Sequence, residues 1–300
     1  MASTQSLFLR DLYTEWLGRM DGMDLPTMRD LFEEWHLATI EPSGVTYEEV
    51  DAAGVPAVWA DPVDGASDRV LVFTHGGGFV VGSRHSHRKL AGHLAKAVGA
   101  RALVIDYRRA PEHRFPAQID DAVTVHGWLL DQGFTPEHIA NVGDSAGGNL
   151  AVSTPLKLAA LGKPLPAAVV ALSPWLDMEL SGETLDTNDG TDALVKRAVL
   201  QGMIDSFLSG PGDATDPFAN PLLADYTGFP PVYISVGGHE TLLDDARRLA
   251  ELTEKAEIET VLDVVPEQQH VFHFCAGRAP EADDAIARIA AWLRPKLGLS

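Results

Sequence analysis

The sequence predicts an α/β fold: a mostly parallel central sheet with helices on both faces and a helical cap. Three observations carry that expectation. Apolar strand-like runs alternate with amphipathic helical segments from residue 45 onward, the pattern of parallel strands joined by crossover helices. At 300 residues and 45% hydrophobic content the chain can bury a large core as one domain with an embellishment. The residues with the most distinctive chemistry fall at the C-terminal ends of the strand runs, where open α/β sheets place ligands.

In chain order, residues 1–44 carry helical patterns through Leu7, Leu12, Trp16 and Met20 and then Met28, Leu31, Phe32 and Trp35, outside the alternating core. Residues 45–50 and 55–60 read as an antiparallel pair around Ala52-Ala53-Gly54, and 70–74 is a buried strand. Ser83-Arg-His-Ser-His-Arg-Lys89 looks like the polar start of a helix; 102–107 is a strand and 119–132 a helix. Residues 139–142 and 167–172 are further buried strands. A second segment outside the core, 178–218, has polar loops around one helix. The strands 231–236 and 260–265 complete the set, with an amphipathic helix through Leu249 and Leu252 between them. The expected division is therefore N-terminal cap helices at 1–44, core at 45–177, a cap insertion at 178–218 and the rest of the core at 219–300.

Asn141-Val-Gly-Asp-Ser-Ala-Gly-Gly-Asn149 places a Gly-x-Ser-x-Gly core between a strand and a helix. A nucleophilic serine must project from a sharp strand-to-helix turn, and Gly143 and Gly147 supply room for it. Upstream, a strand runs into His75-Gly76-Gly77-Gly78-Phe79. Three consecutive glycines are entropically costly and suit a loop whose N–H groups closely approach a ligand, such as a developing oxyanion. No phosphate-binding spacing accompanies them. A serine also needs a base and an orienting carboxylate. Glu240 sits at the turn after 231–236 and His270 in the loop after 260–265, giving the order Ser145, Glu240, His270. Asp244 is the rival acid, with a competing role as partner of a helix N-terminus. His239 and His273 compete with His270, Asp245 and Asp263 are expected to be solvated or capping, and His75 is expected to order the glycine loop.

These motifs together resemble the hormone-sensitive-lipase-like branch of the alpha/beta-hydrolases, which contains many bacterial carboxylesterases. The resemblance covers residues 55–295 and rests on His75-Gly-Gly-Gly-Phe79, Asp106-Tyr-Arg-Arg-Ala-Pro-Glu-His113, Gly143-Asp-Ser-Ala-Gly-Gly148, Glu240-Thr-Leu-Leu-Asp244 and His270. It implies a triad of Ser145, Glu240 and His270 and an oxyanion hole made by the backbone N–H groups of Gly77, Gly78 and Ala146. It also favours His270 over its rivals by position. One departure stands out: the family usually has Asp-Pro-Leu where this chain has Glu240-Thr241-Leu242. Glutamate can still hold the histidine tautomer, from a backbone set slightly further back. The resemblance implies hydrolysis of small to medium uncharged acyl esters without a cofactor, with a lactone as a chemically equivalent substrate, and a homodimer formed through an edge strand. The branch also includes a hormone receptor that lost its triad histidine; retention of His270 argues against such a binding role.

The net charge of −20 disfavours nucleic acid, an anionic membrane surface or strongly anionic substrates. No apolar run reaches membrane-spanning length and no signal-peptide pattern opens the chain, which together with the lone Cys275 points to a cytoplasmic protein. His85, His87 and His93 lack a convergent third ligand pattern, so no metal is expected. Asp106-Tyr-Arg-Arg-Ala-Pro-Glu-His-Arg-Phe-Pro116 reads as a structural clasp whose charged groups pair with each other and cap backbone ends. Phe79, Trp175, Phe207 and Phe218 are candidate substrate-pocket aromatics, and the polar stretch 181–192 favours soluble substrates over an oil interface.

Overall fold

In the computed structural model, which describes residues 2–300, the expected strands form one sheet. Among the described residues these are β1 (Val45–Ala52), β2 (Val55–Pro62), β3 (Ala66–Thr74), β4 (Ala100–Ile105), β5 (Ile139–Asp144), β6 (Ala168–Leu172), β7 (Val232–Gly237) and β8 (Thr260–Val265), in the order β1-β2-β4-β3-β5-β6-β7-β8. β1 and β2 pair antiparallel, β2 meets β4 antiparallel, and every later pairing is parallel. The helices are α1 (Leu7–Met20), α2 (Leu25–Glu33), α3 (Trp35–Ala38), α4 (Arg84–Val98), α5 (Ala117–Asp131), α6 (Ala146–Ala160), α7 (Thr184–Thr187), α8 (Arg197–Phe207), α9 (Leu243–Lys255) and α10 (Pro280–Lys296). None is long and apolar enough to cross a membrane.

Both sheet faces are covered, which is why the central strands read as continuous apolar runs. Along β6, Ala168, Val170 and Leu172 join a core that includes α4 and α10, while Val169 and Ala171 face the side chains of α6 and α9. Ser83 caps α4 by accepting from the N–H groups of His85 and Ser86, so the polar run there is a helix start.

Residues 2–44 fold onto the core through aromatic packing. Trp16 is fully buried and meets Phe32 at 5.2 Å and Trp35 at 5.7 Å between ring centroids, and Trp35 stacks on Phe274 at 5.3 Å. The α1 side chain Tyr13 donates its hydroxyl to the carbonyl of His270 at 3.0 Å. Trp16→Ala is therefore expected to cost about 3–5 kcal/mol of stability, the range for buried Trp truncation, read as a lowered denaturant midpoint at unchanged m-value.

Two expectations change. The charges of the 106–116 clasp do not pair with one another: Asp106 takes Arg84 at 2.8 Å, Arg108 takes Asp121 and Glu112 binds Arg29 at 2.7 Å, while Arg109 and Arg114 reach the backbone carbonyls of Gly82 and Asp205 at 2.7 and 2.8 Å. Sequence-adjacent side chains diverge on an irregular segment, so each finds a partner on another element. Asp245 is also not solvated. It is 1% exposed and accepts from the N–H groups of Leu176 and Asp177 at 2.7 and 2.9 Å, and burial raises its pKa to about 7. Asp263 is partly covered and pairs with Arg288 at 2.9 Å.

Candidate active site

β5 ends at Asp144 and α6 begins at Ala146, so Ser145 alone makes the turn, at φ 52° and ψ −119°. A non-glycine residue pays strain there, tolerated when the surrounding structure over-determines it. Gly143 and Gly147 are required for the close approach. A Cβ on Gly143 would strike the Gly147 carbonyl and Thr74 Oγ1, and one on Gly147 would strike the backbone of Thr74 and His75. Thr74 Oγ1 donates to the Gly147 carbonyl at 2.7 Å, tying the end of β3 to the first turn of α6.

The loop after β3 is fastened to the same turn. The Gly76 N–H donates to Asp144 Oδ1 at 3.1 Å, and His87 Nε2 lies 3.3 Å from Asp144 Oδ2, all in the buried interior. His75 Nδ1 meets the Gly76 carbonyl at 2.8 Å and its ring stacks on Tyr107 at 4.2 Å, while the Tyr107 hydroxyl donates to the His75 carbonyl at 2.7 Å. His75 thus orders the glycine loop. Among the described residues no acceptor is found for the N–H groups of Gly77, Gly78 or Ala146. Gly77 and Gly78 line one cavity together with Ser145 and His270.

The structure brings Ser145, His270 and Glu240 together. His270 Nε2 lies 2.9 Å from Ser145 Oγ, and His270 Nδ1 lies 2.9 Å from Glu240 Oε2. Glu240 is fully buried; its Oε1 accepts from Ser173 Oγ at 2.6 Å and from the Gly237 N–H. Burial pushes the Glu240 carboxyl above the usual range against the pull of these donors. Burial alone would depress His270, but the hydrogen bond and charge of Glu240 outweigh it and hold the imidazole above its ordinary pKa. The glutamate's extra methylene is accommodated because Glu240 stands in the turn three residues after Gly237, and its carboxylate folds back onto that N–H.

The rivals are placed elsewhere. Asp244 lies in the first turn of α9, accepting from the Thr184 N–H at 3.0 Å and pairing with Arg247. His273 Nε2 meets Ser235 Oγ at 2.8 Å, and burial lowers its pKa to about 3. His239 is half-buried in the turn and bonds through its backbone N–H to the Gln268 carbonyl at 3.1 Å. His93 binds the Ile40 carbonyl at 2.8 Å and His85 lies 3.8 Å from Glu49, so neither joins His87. Cys275 is a buried thiol pushed up to about 12.

Of the four candidate aromatics, only Trp175 lines the cavity at Ser145, whose other walls include Leu194, Val195, Leu200 and Met203. Phe79 is fully buried and stacks on Phe207 at 3.9 Å, and Phe218 lies under Lys157 Nζ at 4.6 Å. Their large apolar surfaces are used in the core.

Sequence reasoning missed Ser173 and Asp192. Ser173 Oγ donates to Glu240 and accepts from the Val271 N–H at 3.0 Å, joining the acid to the histidine loop. Its one sequence signal is its place directly after β6, at a strand end. Asp192 accepts from the N–H groups of Thr241, Leu194 and Val195 at 2.8–2.9 Å, locking residues 192–195 to the acid turn. Ser173→Ala is expected to lower kcat about 10–100-fold, the equivalent of about 1.5–3 kcal/mol for a hydrogen bond to a charged group, with KM little changed and a displaced pH profile. Steady-state kinetics against pH check it.

A family model described as alpha/beta hydrolase fold matches residues 71–274. An acetyl-hydrolase of Streptomyces hygroscopicus is 38% identical over 93% of this chain and 99% of its own length. An esterase of Acinetobacter venetianus is 37% identical over 75% of each chain. The crystal structure of an esterase from the bacterial hormone-sensitive lipase family superposes with a TM-score of 0.95 at 38% identity, over 99% of this chain and 100% of the other. With its strand-end serine, histidine and buried glutamate, the chain belongs to the alpha/beta-hydrolase-fold family, in its hormone-sensitive-lipase-like branch of esterases.

Proposed function

We propose that this carboxylester hydrolase cleaves small to medium uncharged acyl esters with Ser145 as nucleophile, His270 as base and Glu240 as the carboxylate that orients it. The observation that carries this reading is the continuous hydrogen-bonded line from Glu240 Oε2 through both ring nitrogens of His270 to Ser145 Oγ, with 2.9 Å at each link. Glu240 holds the Nδ1–H tautomer and leaves Nε2 free to accept the serine proton. Ser145 Oγ then attacks the ester carbonyl carbon while its proton passes to Nε2. The N–H groups of Gly77, Gly78 and Ala146 receive the oxyanion, each worth about 3–4 kcal/mol to the transition state. Collapse breaks the bond to the alcohol oxygen, which leaves with the proton from Nε2, and water repeats the cycle on the acyl-enzyme to release the carboxylic acid.

Residues 1–44 and 178–218 act in this reading as a cap that excludes water and shapes the substrate pocket. The apolar walls at Ser145 favour uncharged groups, and the acetyl-hydrolase and esterase relatives support short acyl esters. The outer edge of β8 is open in the monomer, which suits pairing of two copies, and light scattering on the purified protein measures that. Initial rates on p-nitrophenyl esters from acetate to laurate test the substrate reading. Turnover concentrated on the shorter esters agrees with it, and no turnover on any of them rejects it.

A further inference from the structure

The cavity beside Ser145 is small for an ester site. It measures about 50 Å³, whereas small-molecule sites commonly occupy roughly 300–1,000 Å³. A neighbouring cavity of about 480 Å³ lies between α8 and the α1–α2 region. Val199 and Met203 belong to the walls of both cavities, so these two α8 side chains form the partition. Met203 also rests on the glycine loop: a Cβ on Gly78 would lie 2.7 Å from its Cγ and 2.8 Å from its Sδ. Its thioether fills the space that a side chain at position 78 would take.

The larger cavity has its own chemistry. Met20, Met23, Met28 and Met203 line it, four of the six methionines in the chain, with Leu25 and Val80 and no charged side chain. Methionine is unbranched and adaptable, suited to a surface that must fit a flexible apolar chain. Val199 is stiff at χ1, so Met203 is the mobile half of the partition.

We propose that Met203 is the gate between the Ser145 cavity and a methionine-lined annex that takes the linear aliphatic chain of a medium-length ester. Acetyl-sized groups fit on the serine side with the thioether in place. Longer chains swing it aside and enter the annex. The inference rests on Ser145 as the nucleophile and adds the determinant of chain length.

The test compares kcat/KM for p-nitrophenyl acetate and p-nitrophenyl octanoate in wild type, Met203→Ala, Met203→Phe and Val199→Ala. Val199 is half-buried, so its truncation opens the same partition at less risk to folding. The octanoate-to-acetate ratio is expected to rise about tenfold in Met203→Ala, the low end of what one methylene decides in an apolar pocket. It should rise less in Val199→Ala and fall about tenfold in Met203→Phe. Acetate turnover in each variant reports an assembled site. An unchanged ratio in the variants that retain it overturns the gate. Acetate turnover that persists in Ser145→Ala instead rejects the underlying reading and leaves the cause unambiguous.

Discussion

Ser145→Ala is expected to remove ester turnover, lowering kcat by about 10⁶-fold, the scale for losing a triad serine. The same change should leave the fold intact. The turn at φ 52° penalises any Cβ, and alanine carries no more bulk than serine at that position. The buried ties of the elbow run through Asp144, Thr74 and the two glycines rather than through the hydroxyl. Purified variant with a native circular dichroism spectrum and no p-nitrophenyl acetate turnover above background is the expected result. An active variant would mean that the hydroxyl at the end of the line to His270 is not the attacking group.

Glu240→Gln carries the second large effect. The amide is isosteric, but it presents either a neutral oxygen or an N–H to His270 Nδ1, so the orienting charge is gone and the wrong tautomer becomes accessible. On the order of a 10⁴-fold loss in kcat is expected. The pH profile changes as well. His270 must be neutral to accept the serine proton, and its pKa is held above the ordinary value of about 6.5 by Glu240. The acid limb of kcat/KM in the wild type therefore lies above pH ~6.5, with activity rising through it. In Glu240→Gln the raising partner is lost while burial remains, so the limb moves to lower pH in whatever activity persists. Asp244→Asn serves as the contrast: its carboxylate faces the Thr184 N–H and Arg247, and the expected change in kcat is within about threefold, as for sites away from the reacting atoms.

The parts that sequence makes legible are local. The central parallel strands β4 to β7 declare themselves because both of their faces are buried, and the serine, glutamate and histidine stand beyond strand ends. Gly143 and Gly147 are legible because a tight turn admits few residue types. Other parts depend on contacts between distant segments that leave no periodic trace. Ser173 bonds to Glu240 across 67 residues and Asp192 to the Thr241 N–H across 49. Asp245 reads as a helix-start carboxylate, and only the fold delivers the N–H groups of Leu176 and Asp177 to it. Phe79 and Phe207 show why aromatic composition does not locate a pocket: a ring near the site and a ring in the core have the same apolar signature, and the 3.9 Å stack between these two assigns them to the core.

Rapid mixing with p-nitrophenyl acetate, followed by peptide mass mapping of acid-quenched enzyme, tests the central assignment most directly. The account predicts p-nitrophenol release and an acetyl group on the peptide bearing Ser145, both absent in Ser145→Ala. Hydrolysis with no acyl-enzyme at Ser145, or an acetyl group carried through turnover by another side chain, would contradict it.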